Sequence, residues 1–157
     1  MSDQITLTRI ELLHPSLREE AKKIYNEICE KLSNDVICRF SHTFRSVEEQ
    51  NKLYAKGRLN KKEKIVTNAK GGQSFHNYGL AIDIVLIVND VATWERGRDF
   101  DKDGQPDWME VVSIFKKYGW EWGGDWGFKD YPHFQKTFNF TTKQLMKKEK
   151  IGAYPNL

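Results

Sequence analysis

The stretch from Ser74 to Val88, S-F-H-N-Y-G-L-A-I-D-I-V-L-I-V, decides the architecture. Its second half is a near-continuous apolar run, the mark of a strand buried on both faces, and we place that strand at Leu80–Val88. An imidazole, His76, and a carboxylate, Asp83, bracket the entry to it, with Gly79 between them. Polar side chains at such a place are costly unless they find partners. A chain reversal at Asn77-Tyr78-Gly79 would bring both to one point.

Working outward, apolar residues at Leu17, Ala21, Ile24, Tyr25, Ile28 and Leu32 have helical spacing and predict a helix over Pro15–Leu32, with Pro15 in its first turn and His14 as a boundary residue. V-I-C-R-F-S-H-T-F, Val36–Phe44, reads as a strand. Ser46 caps a second helix, with Glu49 three residues on as a capping box requires and Gly57 ending it. Asn60–Gln73 is polar and reads as a surface loop. Beyond the central strand, a third helix fits Trp108–Tyr118. The aromatic stretch G-W-E-W-G-G-D-W-G-F follows, then a last strand D-Y-P-H-F-Q-K-T-F, whose Pro132 suits an edge or entry position. A terminal helix starts at Thr141 or Thr142. Helices and strands interleave and the strands are few, so the expected class is α+β, a small antiparallel sheet flanked by helices.

At 157 residues with 39% hydrophobic content, five Trp, six Tyr and nine Phe, the chain is expected to fold as one domain over residues 1–157. There is no repeat, and no separate second domain is evident. No stretch approaches the roughly 20 apolar residues of a membrane span. The opening M-S-D-Q-I-T-L-T-R-I lacks the pattern of a secretory signal, so synthesis in the cytosol is expected. A net charge of +3 is mildly basic and fits an anionic polymer without choosing one. Without a recognition-helix or RNP-like pattern, nucleic acid is not the expected partner. Cys29 and Cys38 lack C-x-x-C spacing and read as buried, reduced thiols.

His133 lies fifty residues after Asp83, at the start of the last strand. Two imidazoles and one carboxylate are a sound ligand set for Zn²⁺ with a fourth position left open, the arrangement of a catalytic zinc. Hydrolysis also needs a base, and Asp130 is the nearest candidate. In a straight strand Asp130 and His133 point to opposite faces, so D-Y-P-H must turn; a cis bond before Pro132 is one way to do it. The plain alternative is that each group is an ordinary polar residue, Asp83 capping a turn.

Ser74-x-His76-x-x-Gly79-x-Ala81-x-Asp83 resembles the S-x-H-x-x-G-x-A-x-D signature of the zinc peptidase family of D-alanyl-D-alanine carboxypeptidases and dipeptidases of the vancomycin-resistance type. Asp130-x-x-His133 resembles its second motif. F-R-S-V-E-E-Q-N-K-L-Y-A-K-G-R and E-W-G-G-D-W-x-F-K-D-Y-P-H-F-Q resemble more closely the L-alanyl-D-glutamate peptidase branch, which includes phage endolysins and bacterial cell-wall hydrolases. The resemblance runs from about Arg9 to Gln135. It implies a hedgehog/DD-peptidase-like fold, Zn²⁺ on His76, Asp83 and His133, and Asp130 as general base and acid. It also implies that Arg45 holds a substrate carboxylate or polarises the scissile carbonyl, against the plain reading of a strand-end ion pair. Ser74 either donates near the ligands or shapes the turn. Trp122 and Trp126 either wall a substrate groove or pack in the core.

A second signal is D-F-D-K-D-G-Q-P-D-W-M-E, Asp99–Glu110, which matches the calcium-loop pattern D-x-[DN]-x-[DN]-G-x5-E. Asp99, Asp101, Asp103, Asp107 and Glu110 would offer carboxylates and Gln105 its backbone carbonyl to Ca²⁺. The alternative is an acidic capping box, Asp107-x-x-Glu110. The function the resemblance implies is a zinc endopeptidase cutting the L-alanyl-D-glutamate bond of peptidoglycan stem peptides, made without a secretory signal, passed to the wall through a holin-type pore and acting as a monomer. A D-alanyl-D-alanine carboxypeptidase or dipeptidase, or a non-catalytic zinc module that grips wall peptide, are the alternatives.

Overall fold

The structure, a computed structural model, describes residues 2–33 and 35–157. Helix α1 (Gln4–Ile10) has no forerunner in the hydrophobic periodicity, being only 7 residues long. Its signal is the cap: the Asp3 carboxylate accepts from the Thr6 backbone N–H and hydroxyl. Helix α2 (Arg18–Lys31) follows a 3-10 turn at Pro15–Leu17, so the helix expected from Pro15 begins with a tighter turn. His14 caps that turn, its Nδ1 accepting from Ser16 N and its Nε2 lying 2.8 Å from the Pro155 carbonyl, the boundary role its position implied.

Strand β1 (Val36–His42) stops two residues short of expectation, and α3 (Val47–Ala55) begins at Ser46, whose Oγ accepts from Glu49 N. After the irregular loop come β2 (Ala81–Val88) and the short β3 (Val91–Thr93). Helix α4 (Asp107–Lys117), β4 (Glu121–Trp122), β5 (His133–Gln135) and α5 (Thr142–Lys147) follow, and a terminal hairpin pairs β6 (Lys150–Ile151) with β7 (Tyr154–Pro155). The last strand is three residues instead of nine. Its front end is spent on a turn closed by His133 N to the Asp130 carbonyl, and its far end on the left-handed pair Phe138 and Asn139.

The main sheet runs β1-β2-β5-β4 with every pairing antiparallel, which bears out the α+β expectation. The edge of β2 away from β1 is divided: Ala81–Asp83 pair with β5, Leu86–Val88 with β3. One face is apolar. Cys38, Phe40, Ile82, Ile84, Leu86 and Phe134 point into a core shared with α2 and α4, and the Phe134 ring stacks on Phe115 of α4 at 4.1 Å. Alternation along the strands then sends Asp83 and His133, register partners, to the opposite face. Cys38 is buried as expected, whereas Cys29, one position past Ile28 on α2, falls off the buried stripe and is half-buried. Neither forms a disulfide. Among the described residues no helix is long and apolar enough to cross a membrane.

Candidate metal centre and groove

His76 enters the site on a short 3-10 turn, Phe75–Tyr78, that replaces the simple reversal read from the sequence. Ser74 caps this turn: its Oγ accepts from His76 N, and Asn77 Oδ1 accepts from Ser74 N to complete a capping box. Of the two roles weighed for Ser74, the turn-shaping one is therefore visible. Gly79 closes the turn at φ +70°, and a Cβ there would lie 2.4 Å from His14 N. Left-handed backbone and close packing both demand glycine.

The imidazole of His76 is buried, and its Nδ1 lies 2.7 Å from the Thr43 carbonyl. A carbonyl only accepts, so Nδ1 carries the proton and Nε2 keeps its lone pair. Thr43 is itself anchored, its hydroxyl donating to the Arg9 carbonyl at the end of α1. His133 has the mirror arrangement. Its Nε2 is 2.8 Å from Gln135 Oε1, and Gln135 Nε2 donates to Glu121 Oε2, which orients the amide and leaves His133 Nδ1 facing Asp83. Histidines that bind metals are usually held by such outer partners.

Asp83 Oδ1 lies 3.2 Å from His76 Nε2 and 3.0 Å from His133 Nδ1, and the three ligand atoms fall within 4.8 Å of one another. Ligands about 2.0–2.2 Å from a tetrahedral zinc stand roughly 3.3 Å apart, so these groups close around an ion with little adjustment. His76 Nε2 is buried and has no hydrogen-bond partner, an orphan that a metal would satisfy. The residues fit zinc. Burial penalises the Asp83 charge, yet His76 and His133 outweigh it and hold the carboxyl far below the usual range. Burial likewise opposes charge on His133, and the Asp83 carboxylate more than offsets it, raising that imidazole.

His42 joins the same row by an irregularity. Val36, Cys38 and Phe40 face the core, and strict alternation would send His42 after them. A bulge between Phe40 and His42 reverses the parity, so His42 sits opposite Asp83, with Nδ1 3.9 Å from Oδ2. Burial first, then the nearby Arg45 and His76, push its imidazole down against the pull of Asp83. The sequence carries no sign of a bulge. Position on the strand suggests His42 as a cleft-lining residue, and it does line the groove, whereas Gln135 has no assignment from the sequence, although its i, i+2 spacing from His133 places both on one face.

Asp130 reaches the same groove. The turn Asp130–His133 brings its Oδ2 to 3.9 Å from His133 Nδ1, and Ile84 N donates to the Pro132 carbonyl. The turn is made without a cis peptide, since the described residues contain none. Gly123 pins it: Asp130 N donates to the Gly123 carbonyl, and a Cβ on Gly123 would lie 2.1 Å from the Asp130 carbonyl oxygen. Asp130 is half-exposed; partial burial raises its carboxyl, with Asp83 adding to the effect.

Arg45 lines the groove and donates to Gln50 Oε1, whose own amide is buried and bonded to the Ala69 carbonyl. Among the described residues it forms no ion pair, so the strand-end pair is not realised. Trp126 also lines the groove, its ring 5.4 Å from that of His133. Trp122 does not: it is buried, its indole N–H donating to the Tyr131 carbonyl, because its place in β4 faces the core.

The acidic loop lies elsewhere, between β3 and α4. Asp99, Asp101 and Asp107 bring carboxylate oxygens together, as do Asp101, Asp103 and Glu110. The capping-box alternative is not realised, since Pro106 is the N-cap and no side chain caps α4. Among the described residues the element leading into the loop is β3 and not a helix, so the helix–loop–helix of an EF-hand is not complete.

The sequence pattern of a family described as D-alanyl-D-alanine carboxypeptidase matches residues 67–136. The chain is 46% identical over 125 residues to the "Peptidoglycan L-alanyl-D-glutamate endopeptidase CwlK" of Bacillus subtilis (strain 168), covering 78% of this chain and 72% of that one. It is 36% identical over 85 residues to the "L-alanyl-D-glutamate peptidase" of Listeria phage A118, covering 50% of this chain and 27% of the phage protein. Among solved structures, the Serratia marcescens L-Ala D-Glu endopeptidase ChiX superposes with a TM-score of 0.53 at 26% identity, over 85% of this chain and 87% of that one.

Proposed function

The chain belongs to the L-alanyl-D-glutamate endopeptidase branch of the D-alanyl-D-alanine carboxypeptidase family, and from that membership we infer a zinc peptidase that hydrolyses the L-alanyl-D-glutamate bond of peptidoglycan stem peptides. The observation that carries this reading is the convergence of His76 Nε2, Asp83 Oδ1 and His133 Nδ1, with the first of these buried and unsatisfied.

His76, Asp83 and His133 would hold the zinc ion. Zinc bound there supplies Lewis acidity, lowering the pKa of a water toward about 7 and polarising a carbonyl oxygen. Asp130, its carboxyl raised and open to the groove, takes the proton from the attacking water and returns it to the leaving amine. Arg45, steered by Gln50, offers a permanent cation to a substrate carboxylate or to the oxyanion. Trp126 forms a wall that orients the stem peptide beside His133, and Ser74 sets the turn that presents His76. The calcium expected at the acidic loop has no part in this reaction. We read residues 1–157 as one catalytic domain that works as a monomer, is made in the cytosol and reaches the wall through a membrane pore.

Defined muropeptides, incubated with the zinc-loaded protein and weighed, test the reading. New fragments that begin with D-glutamate are expected. Release of free D-alanine would instead identify a carboxypeptidase, the activity in the matching family's description, and peptide retention without cleavage would identify a binding module.

A further inference from the structure

The loop Asp99–Glu110 leaves charge unresolved in the interior. The Glu110 side chain is 1% exposed, and neither of its carboxylate oxygens has a hydrogen-bond partner. Its one ion pair among the described residues is at 3.6 Å, to Lys31, whose side chain is half-exposed. Asp107 is 0% exposed; its Oδ2 accepts from Phe100 N and its Oδ1 has no partner. Buried carboxylates without full compensation are strongly unfavourable. Both are aimed at the same cluster, since Asp107 lies with Asp99 and Asp101, and Glu110 with Asp101 and Asp103. Asp101 belongs to both groups and joins them.

We propose that this loop binds a calcium ion, with Asp99, Asp101, Asp103, Asp107 and Glu110 as its carboxylate donors. The proposal rests on the loop's own geometry and is independent of the zinc reading. The donors are all oxygen, which selects a hard cation over zinc. Their number favours calcium, which accepts six to eight oxygens in flexible geometry, over magnesium, which keeps its waters. The loop is already wound for it: Gly104 N donates to Asp99 Oδ2, Gln105 N to Asp103 Oδ1, and Gly104 turns at φ +97° at the sixth position. Ser33 N donates to Asp101 Oδ2 from the end of α2, so that helix also meets the cluster. The ion would tie the β3 side of the loop to the first turn of α4, the helix whose Phe115 stacks on Phe134, next to His133 in β5. Its effect is therefore to stiffen the scaffold behind the active groove.

The full chain, saturated with zinc, is melted with increasing Ca²⁺ and separately with Mg²⁺, and Tb³⁺ emission is excited through the neighbouring Trp108. Millimolar Ca²⁺ is expected to raise the melting temperature by several degrees, Mg²⁺ by much less, and Ca²⁺ is expected to quench the Tb³⁺ signal by displacement. Asp101→Asn should abolish both responses while keeping the Ser33 hydrogen bond. Glu110→Gln should raise the melting temperature of the calcium-free protein and lose the Ca²⁺ response. Asp83→Asn, in the zinc centre, should leave the Ca²⁺ response intact. Absence of any Ca²⁺ shift in wild type would overturn the proposal, the acids then sharing protons instead of an ion. So would an undiminished shift in Asp101→Asn, or a shift lost in Asp83→Asn, which would put calcium at the zinc centre.

Discussion

Asp83 of β2 lies directly across the antiparallel ladder from His133 of β5, with Asp83 Oδ1 3.0 Å from His133 Nδ1, while on its other edge the same residue faces His42. One carboxylate thus links three strands on the face opposite the apolar core. Two of the three candidate metal ligands are set by strand register, and the third, His76, is delivered by a capped turn.

The hydrogen bond from His133 Nε2 to Gln135 is the support of this arrangement most easily removed. Gln135→Leu should lower zinc affinity by roughly 10–100-fold, as loss of outer-shell partners does. Gln135→Glu, which still accepts from Nε2, should restore much of it. Competition with a chromogenic chelator measures both, and unchanged affinity in the leucine variant would exclude the support role.

Asp130 stands 3.9 Å from His133 Nδ1, beside the ligands. Asp130→Asn is expected to reduce kcat/KM on muropeptides by about 10²–10⁴-fold, the usual contribution of a positioned base. Zinc content, assayed in parallel, should be unchanged. Full activity with zinc bound would rule out this residue as the base.

Gly79 combines positive φ with a 2.4 Å approach of any Cβ to His14 N. Gly79→Ala should destabilise the fold by at least ~2 kcal/mol, since the left-handed region alone costs about 1–2 for other residues. Urea unfolding of the zinc-loaded proteins gives the difference. A loss under about 0.5 kcal/mol, the size of an ordinary surface substitution, would mean that the turn yields without strain.

Outside the lining of the groove, Arg39 donates two hydrogen bonds of 2.9 Å to Asp3 and holds its carboxyl below the ordinary value, with Thr6 assisting against burial. A depressed folded pKa contributes stability that is whole above the unfolded value of about 3.9 and is lost as pH falls through the folded value. Asp3→Asn should therefore cost roughly 1.5–3 kcal/mol at pH 7, the range for hydrogen bonds to charged groups. The gap should narrow below about pH 4. Denaturant midpoints across pH give the comparison, and a gap independent of pH would remove the ion pair as its cause.

How far each feature could be read in advance follows from its range along the chain. The helix at Arg18–Lys31 and the strand at Ala81–Val88 were legible because their patterns are local and long. Helix α1 was not, its seven residues offering a cap but no stripe. The last strand was overdrawn because Phe138 and Asn139 adopt left-handed backbone that composition does not announce. His76, Asp83, His133 and Asp130 could be named from motif spacing, whereas Trp122, equally aromatic and equally near, proved to be core.

By itself the sequence determined which side chains are candidates to bear the chemistry and which segments can be strands or helices, since both depend on residue type and short-range period. Tertiary structure decided the rest: that a bulge turns His42 toward Asp83, that Gln135 and Thr43 choose the histidine tautomers, and that Glu110 and Asp107 are buried without hydrogen bonds for every oxygen. The physical reason is that parity, tautomer and desolvation belong to pairs of groups brought together across strands and layers, and no residue carries its partner's position in its own identity.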